Sequence, residues 1–289
     1  MVAARAGCAH APTHATISKR ASFEAHPRIS TAKTFANEKS TVSRPLILLL
    51  VAFVANALAA LSGGGVGLIQ LPMLLFLGLP YPRALATHKV ASVALGAGAG
   101  TRYLRSGLIE RRFALLILLS GLPGVVLGSL VVLAIPEAII RTVLGVLTIS
   151  LGLYSVFRRD LGQSAEARHR DRAGLIVGAI GLFVIGFLNG SVTSGTGLFC
   201  TLWLVRWFGF DYKAAVAYTL TLVGLGWNTT GAVTLGAFGV IQWSWLPWLV
   251  AGALAGSYTG AHFALASPNR WIKRAFEVIT VGIGARLLF

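Results

Sequence analysis

Charge is what this sequence has least of. Only 12% of its 289 residues are Asp, Glu, Lys or Arg, where an ordinary soluble domain carries roughly 25%. Of those few, 9 are acids and 25 are bases, and the apolar stretches hold almost no carboxylate from which to build a catalytic pair or a hard-metal site. There are two cysteines, Cys8 and Cys200, in unrelated segments with no CxxC spacing, which excludes a disulfide framework and a thiolate metal site. No HExxH and no GxxxxGK[ST] motif is present, and three of the six histidines fall in the first 44 residues. Neither a zinc hydrolase nor a P-loop ATPase is written here, so no metal, no cofactor and no enzymatic activity are expected.

What is present is apolar surface. Hydrophobic residues make up 55% of the chain, and the mean hydropathy is +0.75. A membrane-crossing helix takes about 20 mainly apolar residues, and from Pro45 onward nearly the whole chain consists of such runs. The formal charge of +16 raises nucleic-acid binding as a possibility. The bases are nonetheless scattered among short loops, where the positive-inside tendency of membrane proteins accounts for them, and no nucleic-acid partner is expected. The 34 glycines suit close helix contact. Gly96 with Gly100, Gly124 with Gly128, and Gly252 with Gly256 and Gly260 have small-xxx-small spacing.

The chain divides into four regions. Residues 1 to 44 are polar, basic and rich in Ala, Ser and Thr, with Glu24 and Glu38 the only acids; they read as a disordered tail, a misassigned start or an organellar transit peptide. Segments at about 45 to 61, 66 to 78, 84 to 104, 113 to 133 and 138 to 157 form a first transmembrane repeat (45 to 157). A charged linker spans 158 to 172. Segments at about 174 to 190, 196 to 208, 214 to 235, 243 to 264 and 271 to 289 form a second repeat (173 to 289). Trp243, Trp245 and Trp248 suit a membrane interface. Glu277, four positions after Lys273, suits an ion pair more than proton coupling.

The halves match in order. Leu77-Gly78-Leu79-Pro80-Tyr81 aligns with Phe208-Gly209-Phe210-Asp211-Tyr212, Ala84-Leu85-Ala86 with Ala215-Val216-Ala217, and Ser106-Gly107-Leu108-Ile109 with Phe238-Gly239-Val240-Ile241. Loop charge orients them. Arg102, Arg105, Arg111 and Arg112 crowd a loop whose counterpart near 236 to 242 has no charge, whereas the next pair of loops reverses: 134 to 137 has only Glu137, and 265 to 274 carries Arg270, Lys273 and Arg274. Two repeats of opposite topology produce this exchange, because cytoplasmic loops collect Lys and Arg. Five crossings per half would put the basic tail outside, unless the first two segments cross only once between them. The fold class expected is all-α, a polytopic bundle of about eight to ten membrane segments.

Each half opens with a break: Ser62-Gly63-Gly64-Gly65 in the first, and Asn189 through Thr193-Ser194-Gly195-Thr196-Gly197 in the second. Successive glycines do not persist as helix interior, each costing roughly 1 kcal/mol relative to Ala. Broken backbone at membrane depth is tolerated only where it is buried in protein or lines a cavity. A helix restarting there offers free N–H groups and a partial positive charge to an anion. A tight turn between packed helices remains the competing reading. Thr87, His88 and Lys89 in the third segment, with Asn189, Thr193, Ser194, Thr219 and Asn228 in the second half, are the polar candidates to join Ser62, Gly63, Gly64, Gly65 and Gly195. Lys89 either supplies an oxyanion's counter-charge or snorkels to the interface, and His88 either binds or merely hydrogen-bonds.

The order Gly63-Gly64-Gly65, Pro72, Leu77-Gly78, Ala84-Leu85-Ala86-Thr87, then Tyr103 with Ser106-Gly107 resembles the TauE/SafE sulfite exporter family over about residues 45 to 289. The resemblance implies a multi-pass transporter in the plasma (inner) membrane that moves sulfite, a sulfonate or a related oxyanion, usually outward. The second copy departs from the pattern with Ser194-Gly195-Thr196-Gly197 and no equivalent of Pro72, and His88-Lys89 is more basic than the pattern. A carrier of another solute or of a metal ion, and a non-transporting scaffold, are the alternatives.

Overall fold

Long apolar runs fold as helices because lipid offers no partner to backbone N–H and C=O groups. The computed structural model describes residues 31–134, 162–238 and 241–288, with isolated helical positions between 139 and 157. Most of the expected segment at 138 to 157, the first 30 residues and the start of the linker lie outside the described residues. Two units divide the chain, Met1–Thr41 and Val42–Phe289. Of the first, residues 31–41 are helical; the second is the helix bundle.

The helices are α1 (Thr31–Ser62), α2 (Val66–Phe76), α3 (Tyr81–Arg105), α4 (Arg111–Val131), α5 (Arg172–Ser191), α6 (Thr196–Phe208), α7 (Tyr212–Tyr218), α8 (Asn228–Gly236), α9 (Leu246–Ala266) and α10 (Asn269–Leu288). No strand occurs among the described residues. The all-α bundle is as expected. One element differs: the span at 214 to 235 is continuous but not uniform, because Thr219–Trp227 between α7 and α8 is π-helical. Four stretches, Arg44–Ser62, Arg111–Val131, Arg172–Ser191 and Trp243–Ala266, are long and apolar enough to cross a membrane. Helix α3 is less apolar yet largely enclosed, with Ala84 through Lys89, Leu95 and Ala99 all buried.

Glycines set the helix contacts. Along α9, Gly252, Gly256 and Gly260 lie in turn against the carbonyl oxygens of Leu49, Phe53 and Ala57 of α1, so closely that no Cβ fits, and the two helices run in the same direction. Along α4, Gly124 and Gly128 meet the carbonyl oxygens of Phe183 and Phe187 of α5 in the same way, while Gly190 meets that of Val125. Phe53 and Phe183, like Ala57 and Phe187, stand 130 positions apart. α1 thus packs on α9, and α5 on α4, through the same glycine-to-carbonyl contact.

Two further contacts fix directions. Gly96 meets Gly224, Gly100 meets Thr221, and Lys89 meets Gly231, so α3 runs opposite to the Thr219–Gly236 stretch. Gly98 meets Leu254 and Ser257, and Arg102 bonds Tyr258 and His262, so α3 and α9 run together. One end of the bundle therefore gathers Arg102 and Arg105 from α3, Arg111 and Arg112 from α4, and Arg270 and Arg274 from α10. The described part of the linker lies at that end: Arg170 sits 5.0 Å from the rings of both Phe113 and Phe210, and Glu166 N–H donates to Gly209 O at 2.8 Å. At the opposite end Arg44 lies 5.9 Å from the Trp245 ring, and Trp243 is exposed. Lys273 pairs with Glu277 as expected.

Candidate functional site

Both breaks are built the same way. Helix α1 ends with two successive amides, Gly63 and Gly64, donating to Ala59 O at 2.9 Å each, and α5 ends with Val192 and Thr193 donating to Leu188 O at 2.8 and 3.1 Å. The chain then reverses through left-handed backbone: φ is 84° at Gly63, 146° at Gly64 and 91° at Gly65, against 60° at Thr193 and 77° at Gly195. Thr193 is β-branched, for which positive φ is a true outlier that costs of order 1–3 kcal/mol. Its carbonyl oxygen accepts from Thr196 Oγ1 at 2.8 Å. In the first break the Ser62 hydroxyl lies 2.9 Å from Gly64 O and 3.0 Å from Leu58 O, closing the turn from within. Helices α2 and α6 start directly after Gly65 and Gly195. Leu68 N–H turns back to Gly65 O at 3.0 Å, Leu198 N–H to Gly195 O at 2.9 Å and Thr196 N–H to Thr193 O at 3.3 Å, so among the first-turn amides it is those of Val66, Gly67 and Gly197 that have no backbone partner among the described residues.

The two breaks are in contact. A Cβ on Gly64 would lie 2.6 Å from the Gly197 carbonyl carbon, and one on Gly197 would lie 3.0 Å from Gly64 Cα. Thr201 Oγ1 donates to Gly63 O at 2.7 Å, and Ser194 Oγ donates to Gly67 O at 3.1 Å. Both bonds run from a hydroxyl of the second half to a backbone carbonyl of the first.

Lys89 is fully buried. Its Nζ donates to Asn189 O at 2.5 Å and Asn189 Oδ1 at 2.7 Å, and reaches Asn228 Oδ1 at 3.5 Å. Its stem lies against Gly231, where a Cβ would come 2.7 Å from Lys89 Cδ. Snorkelling, one of the two readings of Lys89, does not occur. Because Oδ1 of Asn189 is taken by the ammonium, its amide nitrogen is left to donate, and it does so to Thr196 Oγ1 at 2.9 Å. The chain Lys89, Asn189, Thr196, Thr193 therefore ties α3 to the second break.

A cavity of about 30 Å³ lies between the breaks, room for one or two waters given the ~10–15 Å³ each needs. Of the residues singled out from sequence, Gly64, Gly65, His88, Asn189, Thr193, Thr219 and Asn228 line it. Ser62, Gly63, Ser194 and Gly195 shape the breaks behind the lining, and Lys89 backs Asn189 and Asn228 without lining it. Thr87 lies apart: it donates to Arg83 O at 2.7 Å and accepts from Gln242 N–H at 2.9 Å, holding the loop before α9. The lining also includes Thr196 and Gly197, read from sequence only as part of the second break, and Gly67, Ser92 and Gly224, which were not candidates. Ser92 stands one helical turn from His88, with its Oγ 3.2 Å from His88 Nε2, and that i, i+4 relation was legible. His88 Nδ1 is buried with no partner.

No carboxylate faces this cavity, and no group of three His, Cys, Asp or Glu capable of holding a metal occurs among the described residues. Two helix starts meet at this cavity, lined also by Thr193, Thr196 and Thr219 and by Asn189 and Asn228, whose Oδ1 atoms face Lys89 Nζ; each helix start brings a partial positive charge.

Known proteins resemble the chain in the same terms. The profile of the sulfite exporter TauE/SafE family matches residues 48–287. A probable membrane transporter protein, ORF9, of Sinorhizobium sp is 29% identical over 243 residues, covering 83% of this chain and 91% of that protein. One of Haemophilus influenzae is 29% identical over 243 residues, covering 84% and 94%. The probable membrane transporter protein YfcA of Escherichia coli K12 is 26% identical over 243 residues, covering 84% and 89%. No solved structure matches.

Proposed function

The chain belongs to the sulfite exporter TauE/SafE family of multi-pass membrane transporters, and from that premise we propose that it is a secondary carrier of a small oxyanion, with sulfite or a sulfonate as its substrate. The observation that carries this reading is the meeting of two glycine-opened helix starts at one cavity free of carboxylates. Each helix N-terminus carries the equivalent of roughly +0.5 charge, and discontinuous helices facing each other are how repeat-built transporters hold substrates. Ser62, Gly63, Gly64, Gly65, Ser194 and Gly195 set the break geometry. His88, Asn189, Thr193, Thr219 and Asn228 supply polar contacts, and Lys89 orients the two asparagines. An oxyanion of four or more heavy atoms exceeds the space of one or two waters, so the walls must part for loading and release. Outward movement needs no coupled proton, since an inside-negative potential favours anion exit by about 2.3 kcal/mol per charge per 100 mV.

Binding can be read without transport. Sulfite, thiosulfate and taurine are expected to raise the melting temperature of the purified protein, while Mg²⁺, Zn²⁺ and Mn²⁺ as chlorides add nothing over NaCl. Stabilisation by a divalent cation alone would move the protein to the metal-carrier class.

We infer further that the halves, 45 to 157 and 173 to 289, are inverted repeats joined by the linker at 158 to 172. Three observations support this: α3 runs opposite to its counterpart at Thr219–Gly236, the first-on-fourth helix contacts are reciprocal, and the basic residues of non-equivalent loops share one end. That end is the cytoplasmic one by the positive-inside tendency. Single cysteines at Gly107 and Ser267 should be labelled by an impermeant thiol reagent from the same, cytoplasmic side. Labelling from opposite sides would exclude inversion.

A further inference from the structure

Away from the break cavity, a second concavity of about 430 Å³ lies on the outer face of the bundle between α3 and α9, lined by Ala97, Gly98, Thr101, Leu254, Ala255 and Tyr258. Its wall is almost wholly apolar. Leu254 and Tyr258 are 40% and 48% exposed on a helix that is itself long and apolar enough to span the bilayer, so this surface meets acyl chains and not water.

A cation stands at the basic-end mouth of the groove. The guanidinium of Arg102, one residue beyond Thr101, lies 5.2 Å from the Tyr258 ring centroid. It donates to Tyr258 Oη at 3.4 Å and to His262 Nδ1. Both partners are neutral acceptors, and Arg102 makes no ion pair with a carboxylate among the described residues. Its Nε is buried with no partner. With Nδ1 of His262 accepting, the ring proton sits on Nε2, which is a second donor. Arg105, one turn further along α3, is exposed. A guanidinium held by two uncharged partners, with no carboxylate partner among the described residues, suits a phosphate oxygen.

We propose that this groove seats an acyl chain of an anionic phospholipid whose phosphate is held by Arg102 with His262. The apolar wall and the basic mouth are continuous along one helix pair, so chain and headgroup of a single lipid meet both. A second copy of the protein is the poorer occupant. Copies inserted in the same orientation would bring their Arg102 and Arg105 ends together, like charge against like charge. The proposal is independent of which solute the break cavity carries.

The test is native mass spectrometry of the full chain, purified in detergent, with phosphatidylglycerol and phosphatidylcholine of identical acyl chains, and with inorganic phosphate alone. Phosphatidylglycerol is expected to be retained preferentially. Arg102→Gln should weaken that retention roughly fivefold, the equivalent of one basic contact to an anionic lipid, while leaving phosphatidylcholine unchanged. Ala255→Phe, which fills the groove and keeps the basic mouth, should reduce retention of the lipid without altering the weak binding of inorganic phosphate. Equal retention of the two lipids by the unaltered protein, which needs no variant, would overturn the proposal. So would preference for phosphatidylglycerol that survives both substitutions, or a dimer that Ala255→Phe dissociates.

Discussion

Gly64→Ala is expected to abolish transport. The residue has φ 146°, and an added Cβ would lie 2.6 Å from the Gly197 carbonyl carbon and 2.7 Å from Leu198 N. The obstacle is backbone of the opposing helix start, which has no rotamer by which to yield. Backbone strain of about 1–3 kcal/mol adds to overpacking of about 1–3 kcal/mol, and the only relief is to move the two breaks apart. Gly197→Ala meets Gly64 Cα at 3.0 Å in ordinary helical backbone and should lower flux only in part. Gly78→Ala, with φ 93° but nothing within 4 Å of a new Cβ, is the control for strain alone and should keep transport. Flux per folded molecule in proteoliposomes, with melting temperature alongside, measures all three. Equal flux for Gly64→Ala and Gly78→Ala would mean that contact between the breaks has no part in transport.

Lys89→Met is expected to reduce flux tenfold or more, and Lys89→Gln to restore a large part of it. Methionine occupies the space of the lysine stem beside Gly231 but leaves Asn189 O and both Oδ1 acceptors with no donor, at about 1–3 kcal/mol for each buried group left unsatisfied. Glutamine lacks the charge and keeps an N–H₂ group that can donate to Asn189 Oδ1, so the carboxamides keep their orientation. The pair separates two roles for the same side chain. If Lys89 acts by its charge on the substrate, both variants fail alike and the apparent affinity falls with substrate valence. If it acts through Asn189 and Asn228, glutamine rescues.

The helices were legible because a bilayer imposes length and apolarity on each, and the first break because three adjacent glycines cannot continue a helix. The second was legible from Gly190, Gly195 and Gly197 set among small polar residues. Element edges moved by a few residues, as at α3, where Pro80 precedes the helix and Tyr81 starts it three residues ahead of the expected 84. Other features depended on contacts no local pattern carries. Lys89 and Asn189 are 100 positions apart, so the choice between snorkelling and a buried bond required the fold. Thr87 shares a helix with His88 and Lys89 yet faces the loop at Gln242, since successive helix residues point about 100° apart. The π-helical stretch Thr219–Trp227 has no signature beyond small residues; it brings Thr219, Leu220, Val223 and Gly224 to the cavity wall, in keeping with the frequent placement of π segments at functional sites.

The most direct test of the central claim is sulfite flux from proteoliposomes under an imposed membrane potential, with thiosulfate, sulfate, taurine and sulfoacetate as competitors. Saturable efflux that quickens when the interior is made negative, and that falls when an oxyanion competes but not when a cation does, is the predicted result. Flux that follows a cation, or none for any anion of the panel in protein shown to be folded, would contradict it.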